Sequence, residues 1–326
     1  MEVLKLTHNH TDSPFIEENQ LNSSPFIVAN TLESNIKDIK DKHLIPVFVK
    51  DNHPVISQAD FINLTSDITN HIFKEEIVLQ PSVRVSHPIK GRIPEAKEKP
   101  AHLLLEEEKT IYYERMAFAI EIPSITDDIN GNRLNLTIGG IKAYNLDNLH
   151  SRKGSDERFK IFIGFQNKVC TNMCISTDGL LADLKVRGID ELTDAIFNLI
   201  ECYNAKQHLD QLKKLTKQSL TEQQFAQLIG KARMYQHLPL QNKKHLQELN
   251  FGDTHISNVV KDYYHDESFC REDDGSISTW KLYNLFTGAN KSSYIDTFLD
   301  RGLNAFSFTN GIADSLAKQQ SNWFIN

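Results

Sequence analysis

Helical spacing of apolar residues is found in one segment near the start of the chain and in most of its C-terminal half. After Ser57, apolar residues recur at every third or fourth position, as in a helix with one buried face. Thr221 followed by Gln224 matches a capping box, which predicts the start of a helix. Ser278 is placed to cap a last pair of helices, and Gly288 to end the first of them. The pattern therefore predicts a helical part over residues 186–326.

Strands are indicated between about residues 77 and 175, where short apolar runs alternate with polar residues. Asn130-Gly131 predicts a hairpin, because both residues tolerate positive φ. The predicted fold class is α+β: an antiparallel sheet packed with helices, a helical C-terminal half and a flexible N-terminal arm. The predicted strands cover 116–125, 133–138, 159–165 and 169–175.

The chain is predicted to consist of an arm and one domain. Residues 1–40 are rich in Asn, Ser, Thr and acidic residues, so we expect a mostly flexible arm that docks through Phe15 and Phe26. Residues 41–326 are expected to form a single α+β domain. Within it, 41–185 is the strand-rich part and 186–326 the helical part.

Composition narrows the class of protein. Apolar residues make up 40% of the 326 residues and charged residues 24%, which is ordinary for a globular chain. No apolar run approaches the roughly 20 residues that span a bilayer, and the N-terminus lacks the layout of a signal peptide. Four cysteines are too few for a disulfide scaffold. We therefore expect a cytoplasmic protein with reduced thiols and no membrane partner.

Motifs that carry catalysis or bind metals find little support. Cys170 and Cys174 have a metal-like spacing, but on a predicted strand they would lie roughly 13 Å apart, too far for one ion. The sequence contains no HExxH, GxGxxG, GxxxxGK[ST] or GxSxG pattern. We expect no catalytic residue, no cofactor and no metal site.

Charge is distributed unevenly along the chain. The net charge is −7, yet residues 205–245 contain eight basic and only two acidic residues, so this segment carries +6 and the rest of the chain −13. Two further basic stretches, 84–99 and 152–160, have the Pro and Gly content or the sequence context of exposed loops. The alternative reading is a solvated helix face with pairs such as Lys206 and Asp210.

Lys and Arg side chains of this kind bind phosphates, and aromatic side chains stack on unpaired bases. Tyr112 and Tyr113, or Tyr235 beside Arg233, are candidates for stacking. Whether the three basic stretches form one positive surface is a question of geometry. The candidate nucleic-acid-binding residues are Arg84, Lys90, Arg92, Arg152, Lys153, Lys213, Lys214, Lys217, Lys231, Arg233, Lys243 and Lys244.

Four stretches, 45–62, 117–145, 159–175 and 279–316, together resemble a Bacteroides-type family, domain of unknown function 3871. Residues 166–172 and 280–284 are also distantly similar to the phage/plasmid-like protein family, domain of unknown function 932. These resemblances imply a setting in bacterial chromosomes, phages and mobile elements. They imply no established activity, so no catalytic residue is transferred from them.

Four asparagines lie among apolar neighbours in these stretches: Asn145, Asn167, Asn172 and Asn284. A buried amide without partners costs about 1–3 kcal/mol, so we expect these side chains to be hydrogen-bonded. One interpretation is structural amides that tie loops to the sheet. The other is a polar pocket at the sheet–helix junction.

Three functional hypotheses follow. The leading one is a non-enzymatic accessory protein of a bacterial mobile element or phage-like locus that binds nucleic acid, single-stranded DNA or RNA above all. The alternative is an interaction or assembly subunit that binds an acidic protein through the same basic helices. The third is an enzyme that uses the polar pocket. The sequence predicts no oligomeric state.

Overall fold

A seven-stranded antiparallel sheet forms the centre of the strand-rich part. The computed structural model describes residues 25–42, 56–92, 94–96, 98–148 and 156–326. The strands of this sheet are β1 (Thr31–Ser34), β2 (Ser82–Ser86), β5 (Arg115–Ile129), β6 (Asn132–Ala143), β7 (Glu157–Asn167), β8 (Met173–Cys174) and β9 (Leu180–Val186). They follow the order β1-β2-β5-β6-β7, and both β8 and β9 pair with β7.

Two small ribbons and ten α-helices are described besides this sheet, together with several short 3-10 helices. The ribbons are β3 (Ile89–Arg92) with β4 (Lys109–Tyr112), and β10 (Ser219–Leu220) with β11 (Ile277–Ser278). The helices are α1 (Ile36–Lys42), α2 (Gln58–Ile72), α3 (Tyr144–Asn148), α4 (Ile189–Cys202), α5 (Ala205–Lys214), α6 (Glu222–His237), α7 (Leu240–Lys243), α8 (Asp253–His265), α9 (Thr279–Asn290) and α10 (Ile295–Ala317). The predicted α+β class with a helical C-terminal half is confirmed. Among the described helices, none is both long and apolar enough to cross a membrane.

The predicted hairpin is confirmed at the junction of β5 and β6. Asn130 and Gly131 have φ of 53° and 78°, the left-handed conformation that such a turn requires. The Gly131 N–H donates to Asp128 Oδ1 at 2.8 Å, which closes the turn. This hairpin sets the register of the two longest strands, with Ile129 opposite Asn132.

Helix α2 packs against one face of the sheet through Phe61. Its ring lies 5.0 Å from Phe118 and 4.9 Å from Phe159, edge to face in both cases. A Cβ on Gly140 would come within 2.4 Å of the Phe61 ring, so the glycine permits this close approach. The helix begins where the pattern predicted, and Ser57 is its N-cap and makes a full capping box with Asp60.

The opposite face of the sheet is covered by α10 and by residues that were assigned to the arm. Phe26 and Ile27 are buried, and the Phe26 ring lies 6.2 Å from Phe298 of α10. Strand β1 then adds to the edge of the sheet along β2. The described part of the predicted arm, 25–40, thus contains a strand and the start of α1. Residues 1–24, including Phe15, lie outside the described residues, and the domain boundary at residue 40 stays a prediction.

Helix starts were predicted better than helix ends. Thr221 with Gln224, and Ser278, cap α6 and α9 as expected. Gly288 does not end a helix, because α9 continues to Asn290. The Asn290 side chain donates to the Phe298 carbonyl at 2.9 Å, and this tertiary contact stabilises the last residues of the helix. The prediction at Gly288 was wrong because tertiary contacts outweigh the local preference of glycine.

The strand predicted over 169–175 is much shorter in the structure. Only Met173–Cys174 pairs with β7, and residues 168–172 connect the two strands, with a turn at 168–170. Thr171 has φ of 55°, which is uncommon for a β-branched residue and prevents an extended strand there. Cys170 therefore lies in a turn, and the strand distance calculated for the two cysteines does not apply.

Candidate functional site

The basic segment, defined here as residues 205–245, begins with α5, whose two faces differ in polarity. Ala205, His208, Leu209 and Leu212 are buried on the inner face. Lys206, Lys213 and Lys214 lie on the outer face, seven or eight residues apart along the helix, and Lys217 follows in the short helical turn after α5. The sequence of α5 therefore presents a row of cations to solvent because its apolar residues must face the core.

Most cations of this row form no ion pair with a described residue. Lys213 pairs with Asp127 on β5 at 2.7 Å. Lys206, Lys214 and Lys217, called the lysine stripe here, are exposed, and none makes an ion pair or a side-chain hydrogen bond to a described residue. The predicted surface pair of Lys206 with Asp210 is not formed. The stripe is therefore available to a solvent-borne anion.

At the other end of the segment, α6 and α8 border an open cleft of about 480 Å³. Its lining residues are Arg233, Met234, His237 and Asp253. Arg233 donates to Ser257 Oγ at 3.0 Å, and its Nε lies 3.8 Å from an Asp253 oxygen. The Met234 side chain is 59% exposed, so the cleft has an apolar wall beside a fixed guanidinium.

The cations nearest this cleft have different surroundings. Lys243 donates to the Gln236 carbonyl at 3.1 Å and lies over the Tyr235 ring at 4.9 Å. Lys231 Nζ donates a hydrogen bond to the Asn326 carbonyl and lies 5.6 Å from the centre of the Trp323 ring. Lys244 is exposed and has no bond to the described part of the chain.

Tyr235 is not available for stacking on a base, contrary to its proposed role. The residue is 6% exposed, and its ring lies 5.7 Å from the Phe324 ring within the core. It falls on the inner face of α6 with Phe225, Leu228 and Ala232. The prediction was wrong because Tyr235 and Arg233, although close in sequence, lie on different faces of α6: Tyr235 faces the core and Arg233 faces solvent.

The other two basic stretches are held by the fold where the structure describes them. Arg84 donates to the Thr31 carbonyl at 3.0 Å and so fixes β1 to β2; burial lowers its pKa, and Glu33 opposes that shift. Arg158 pairs with Asp183 at 2.5 Å, and Lys160 pairs with Asp300. Lys90 and Arg92 have backbone positions in β3, but their side chains lie outside the described part. Arg152 and Lys153 are also outside it.

Three of the four asparagines meet where the β7–β8 turn contacts α9. Asn167 Nδ2 donates to Asn284 Oδ1 at 3.2 Å, and Asn172 Nδ2 donates to the Asn284 carbonyl at 3.0 Å. Asn284 Nδ2 in turn donates to the Trp280 carbonyl at 2.9 Å. All three asparagines are at most 2% exposed. Asn145 lies elsewhere, 3.5 Å from Asp296. The three amides bond the turn to the helix, as structural amides do.

The cysteines beside these amides do not have the surroundings of reactive thiols. Burial raises the pKa of Cys170 to about 11, although Lys291 opposes the shift. Burial also raises the pKa of Cys174 to about 12. A thiolate is the nucleophile and the metal ligand, so both shifts disfavour such chemistry. No group of three or more His, Cys, Asp and Glu side chains is placed to hold a metal ion in the described ranges.

A buried ion triad escaped the sequence analysis. Lys142 is fully buried, and its Nζ lies 2.8 Å from both an Asp147 and a Glu157 oxygen. The same Nζ lies 4.1 Å from the centre of the Phe159 ring. The signal was present in the alternation, because Lys142 follows Leu136 and Ile138 on the core face of β6.

His208 is a second buried titratable group that was missed. It is 1% exposed, and its Nδ1 lies 2.7 Å from the Tyr203 hydroxyl. Burial lowers its pKa to about 4, while Asp178 opposes the shift. Its position among the apolar residues of α5 is the signal that indicated burial.

Comparison with known proteins gives a family and no closer relative. No curated protein and no solved structure matches the chain. The expected distant relation to the phage/plasmid-like family stays a prediction. Residues 14–325 match the family described as "Domain of unknown function, B. Theta Gene description (DUF3871)", so the resemblance seen in the sequence is confirmed and the chain belongs to that family.

Proposed function

We propose that the chain is a non-enzymatic protein that binds nucleic acid through the basic segment, with single strands as its preferred form. The supporting observation is the lysine stripe: three exposed cations on one side of α5 and its following turn, without an acidic partner in the described structure. A mobile element or phage-like locus as its setting is part of the proposal and rests on the distant sequence likeness.

Unpaired lysines suit a phosphate backbone because binding releases the counterions condensed on it. An ion-paired lysine must first give up its carboxylate, which removes much of that gain. The cleft at Arg233 favours a single strand, since the exposed Met234 offers an apolar surface to a base that is not already stacked in a duplex.

Fluorescence polarisation with labelled single- and double-stranded DNA and RNA tests the proposal, starting at about 50 mM salt where phosphate contacts are strongest. The key variant is Lys214→Gln with Lys217→Gln. Its matched control is Lys185→Gln with Arg187→Gln, which changes the net charge equally but removes cations that pair with Asp183 and Asp156.

If the stripe contacts phosphates, the double variant reduces the slope of log affinity against log salt by about 1.4 for a single strand, or about 0.7 for each lysine. The control leaves the slope close to that of the wild-type protein. Absence of binding to every oligonucleotide at low salt would overturn the proposal. Equal loss in both variants would also overturn it, because only overall charge would then matter.

A second candidate, binding of an acidic protein, is favoured by one observation. Leu240 is 79% exposed and lies close in sequence to Lys243 and Lys244, so the segment offers an apolar anchor beside cations. Retention of a protein by the tagged full chain at high salt, with nuclease treatment and no nucleic acid present, supports this candidate. Loss of that protein in Leu240→Ala would confirm the anchor; retention in that variant would count against it.

A further inference from the structure

The cleft between α6 and α8 places a donor and an acceptor side by side on rigid helices. The Nη2 atom of Arg233 is held by Ser257 Oγ at 3.0 Å. Gln236 Nε2 donates to Asp253 Oδ1 at 3.2 Å, and the same oxygen faces Arg233 Nε at 3.8 Å. Both contacts use Oδ1, so Asp253 Oδ2 keeps its lone pairs for a molecule in the cleft. Arg233 Nη1 likewise keeps its N–H groups.

This arrangement does not favour a bare phosphate. Asp253 is 64% exposed beside Arg233, and its negative charge repels a phosphate that approaches the guanidinium. A ligand that fits must donate to a carboxylate and accept from a guanidinium at neighbouring atoms. It must also have an apolar face for Met234, which is 59% exposed. A planar heterocycle with an amino group next to a ring acceptor meets all three conditions.

We propose that the cleft is a subsite for an unpaired nucleobase with an exocyclic amino group, cytosine above all. This inference rests on the proposed nucleic-acid binding. The cytosine N4 amine donates to Asp253 Oδ2, while its N3 and O2 atoms accept from Arg233, and the ring packs on Met234. Thymine can donate only its N3–H to the carboxylate; one carbonyl then accepts from Arg233 and the other lies on the side of Asp253, where it meets an acceptor, so thymine makes one hydrogen bond fewer than cytosine.

The experiment measures polarisation of oligodeoxycytidine and oligothymidine of about ten nucleotides against the chain of 326 residues. The two homopolymers have the same phosphate charge and both contain pyrimidines, so they differ mainly in the base edge. We expect the cytidine oligomer to bind about tenfold more tightly. In Asp253→Asn, which adds a donor where the carboxylate had none, the preference falls to within about twofold.

Asp190→Asn is the matched control. Asp190 lies in the first turn of α4, and that helix, like α8, follows a glycine N-cap. It removes a carboxylate from an equivalent place outside the cleft, so the preference for cytosine is expected to persist. Asp253 and Asp190 are both exposed, so neither change disturbs the core.

An oligomer of N4,N4-dimethylcytosine tests the same contact without a protein variant. It lacks the N–H groups that Asp253 would accept, and we expect it to bind like oligothymidine. Equal binding of cytidine and thymidine oligomers would overturn the subsite and leave the proposed function standing. A preference that survives Asp253→Asn would overturn it as well. Failure to bind any oligomer would reject the proposed function and the subsite together.

Discussion

The strand-rich part and the basic segment treat their cations in opposite ways. Between residues 82 and 187, nine of the eleven Lys and Arg side chains that the structure describes form ion pairs. Over residues 205–245 only two of eight do, Lys213 and Arg233. The first region contains more described cations, but fewer of them are without an ion pair and so available to a binding partner. A local charge count therefore measures binding capacity only after the ion pairs have been subtracted.

The difference follows from how each region is built. Neighbouring strands bring residues that are distant in sequence into contact, so a lysine on β7 can meet an acid on α10, as Lys160 and Asp300 do. Helix α5 packs with only one face, and the acids within its own segment are few. Its outward lysines depend on the neighbouring elements for partners, and only Lys213 finds one, in Asp127.

The largest expected effect comes from removing the cation that is most deeply paired. Lys142→Met leaves the partly buried carboxylates of Asp147 and Glu157 without a counterion beside a fully buried position, so we expect the free energy of unfolding to fall by about 3 kcal/mol. Urea denaturation measures it. Adding Asp147→Asn and Glu157→Gln removes the uncompensated charges and should restore part of the loss. A change below about 1 kcal/mol in Lys142→Met would contradict the role of the triad.

The inner face of α5 provides a test by pH. His208 has a folded pKa of about 4 against 6.5 unfolded, so above pH 6.5 neither state binds its proton and stability does not depend on it. On acidification from 6.5 towards 4 the unfolded state takes up the proton first. The free energy of unfolding therefore falls by about 3 kcal/mol in all.

His208→Gln should remove most of this acid sensitivity, as measured by urea midpoints between pH 7 and about pH 4. His255→Gln is the matched control. The pKa of His255 is also lowered to about 4, by burial and by Arg301, but this side chain is more accessible to water and its contribution is smaller. If His208→Gln keeps the full acid sensitivity of the wild-type protein, burial of a neutral histidine does not explain it.

The buried asparagines at the contact between the β7–β8 turn and α9 carry no charge, so they test what buried hydrogen bonds contribute to stability without ion pairs. Asn284→Ala removes the acceptor of Asn167 Nδ2, and leaving that buried donor without a partner should lower stability by about 1–3 kcal/mol. Asn310→Ala is the control, since Asn310 bonds only the Phe306 carbonyl of its own helix. Thermal unfolding of both variants compares them. Equal losses would show that the hydrogen bond between Asn167 and the Asn284 side chain adds nothing to stability.

Local signals in the sequence predicted the parts of the fold that neighbours determine. The Asn130-Gly131 turn, the helix start at Ser57 and the caps at Thr221 and Ser278 need only residues within a few positions, and all four formed. The lysines of α5 were placed outward for the same reason: the apolar positions of one helix decide its orientation.

Contacts between distant residues were beyond such signals. Nothing near Lys213 indicates Asp127, which is 86 positions away, and nothing near Arg84 indicates Thr31. The cleft has the same origin, because Arg233 and Asp253 meet only when α6 packs on α8. Lys142 is different. Its place in the alternation of β6 indicated burial, but lysine is rarely buried, so the general expectation of an exposed side chain outweighed that signal.

The smallest expected effect sharpens the comparison most. Lys185 is paired with Asp183 at 3.5 Å but both side chains are largely exposed, at 46% and 64%, while Lys217 has no acidic partner among the described residues. We expect Lys185→Gln and Lys217→Gln each to change the free energy of unfolding by less than about 0.5 kcal/mol, because exposed ion pairs contribute little. Urea midpoints at low salt measure both. A loss above about 1 kcal/mol in Lys185→Gln alone would mean that surface pairing stabilises the strand-rich part. Equal small losses would mean that ion pairing at the surface leaves stability unchanged. The contrast between the two regions would then concern only which cations a binding partner can reach.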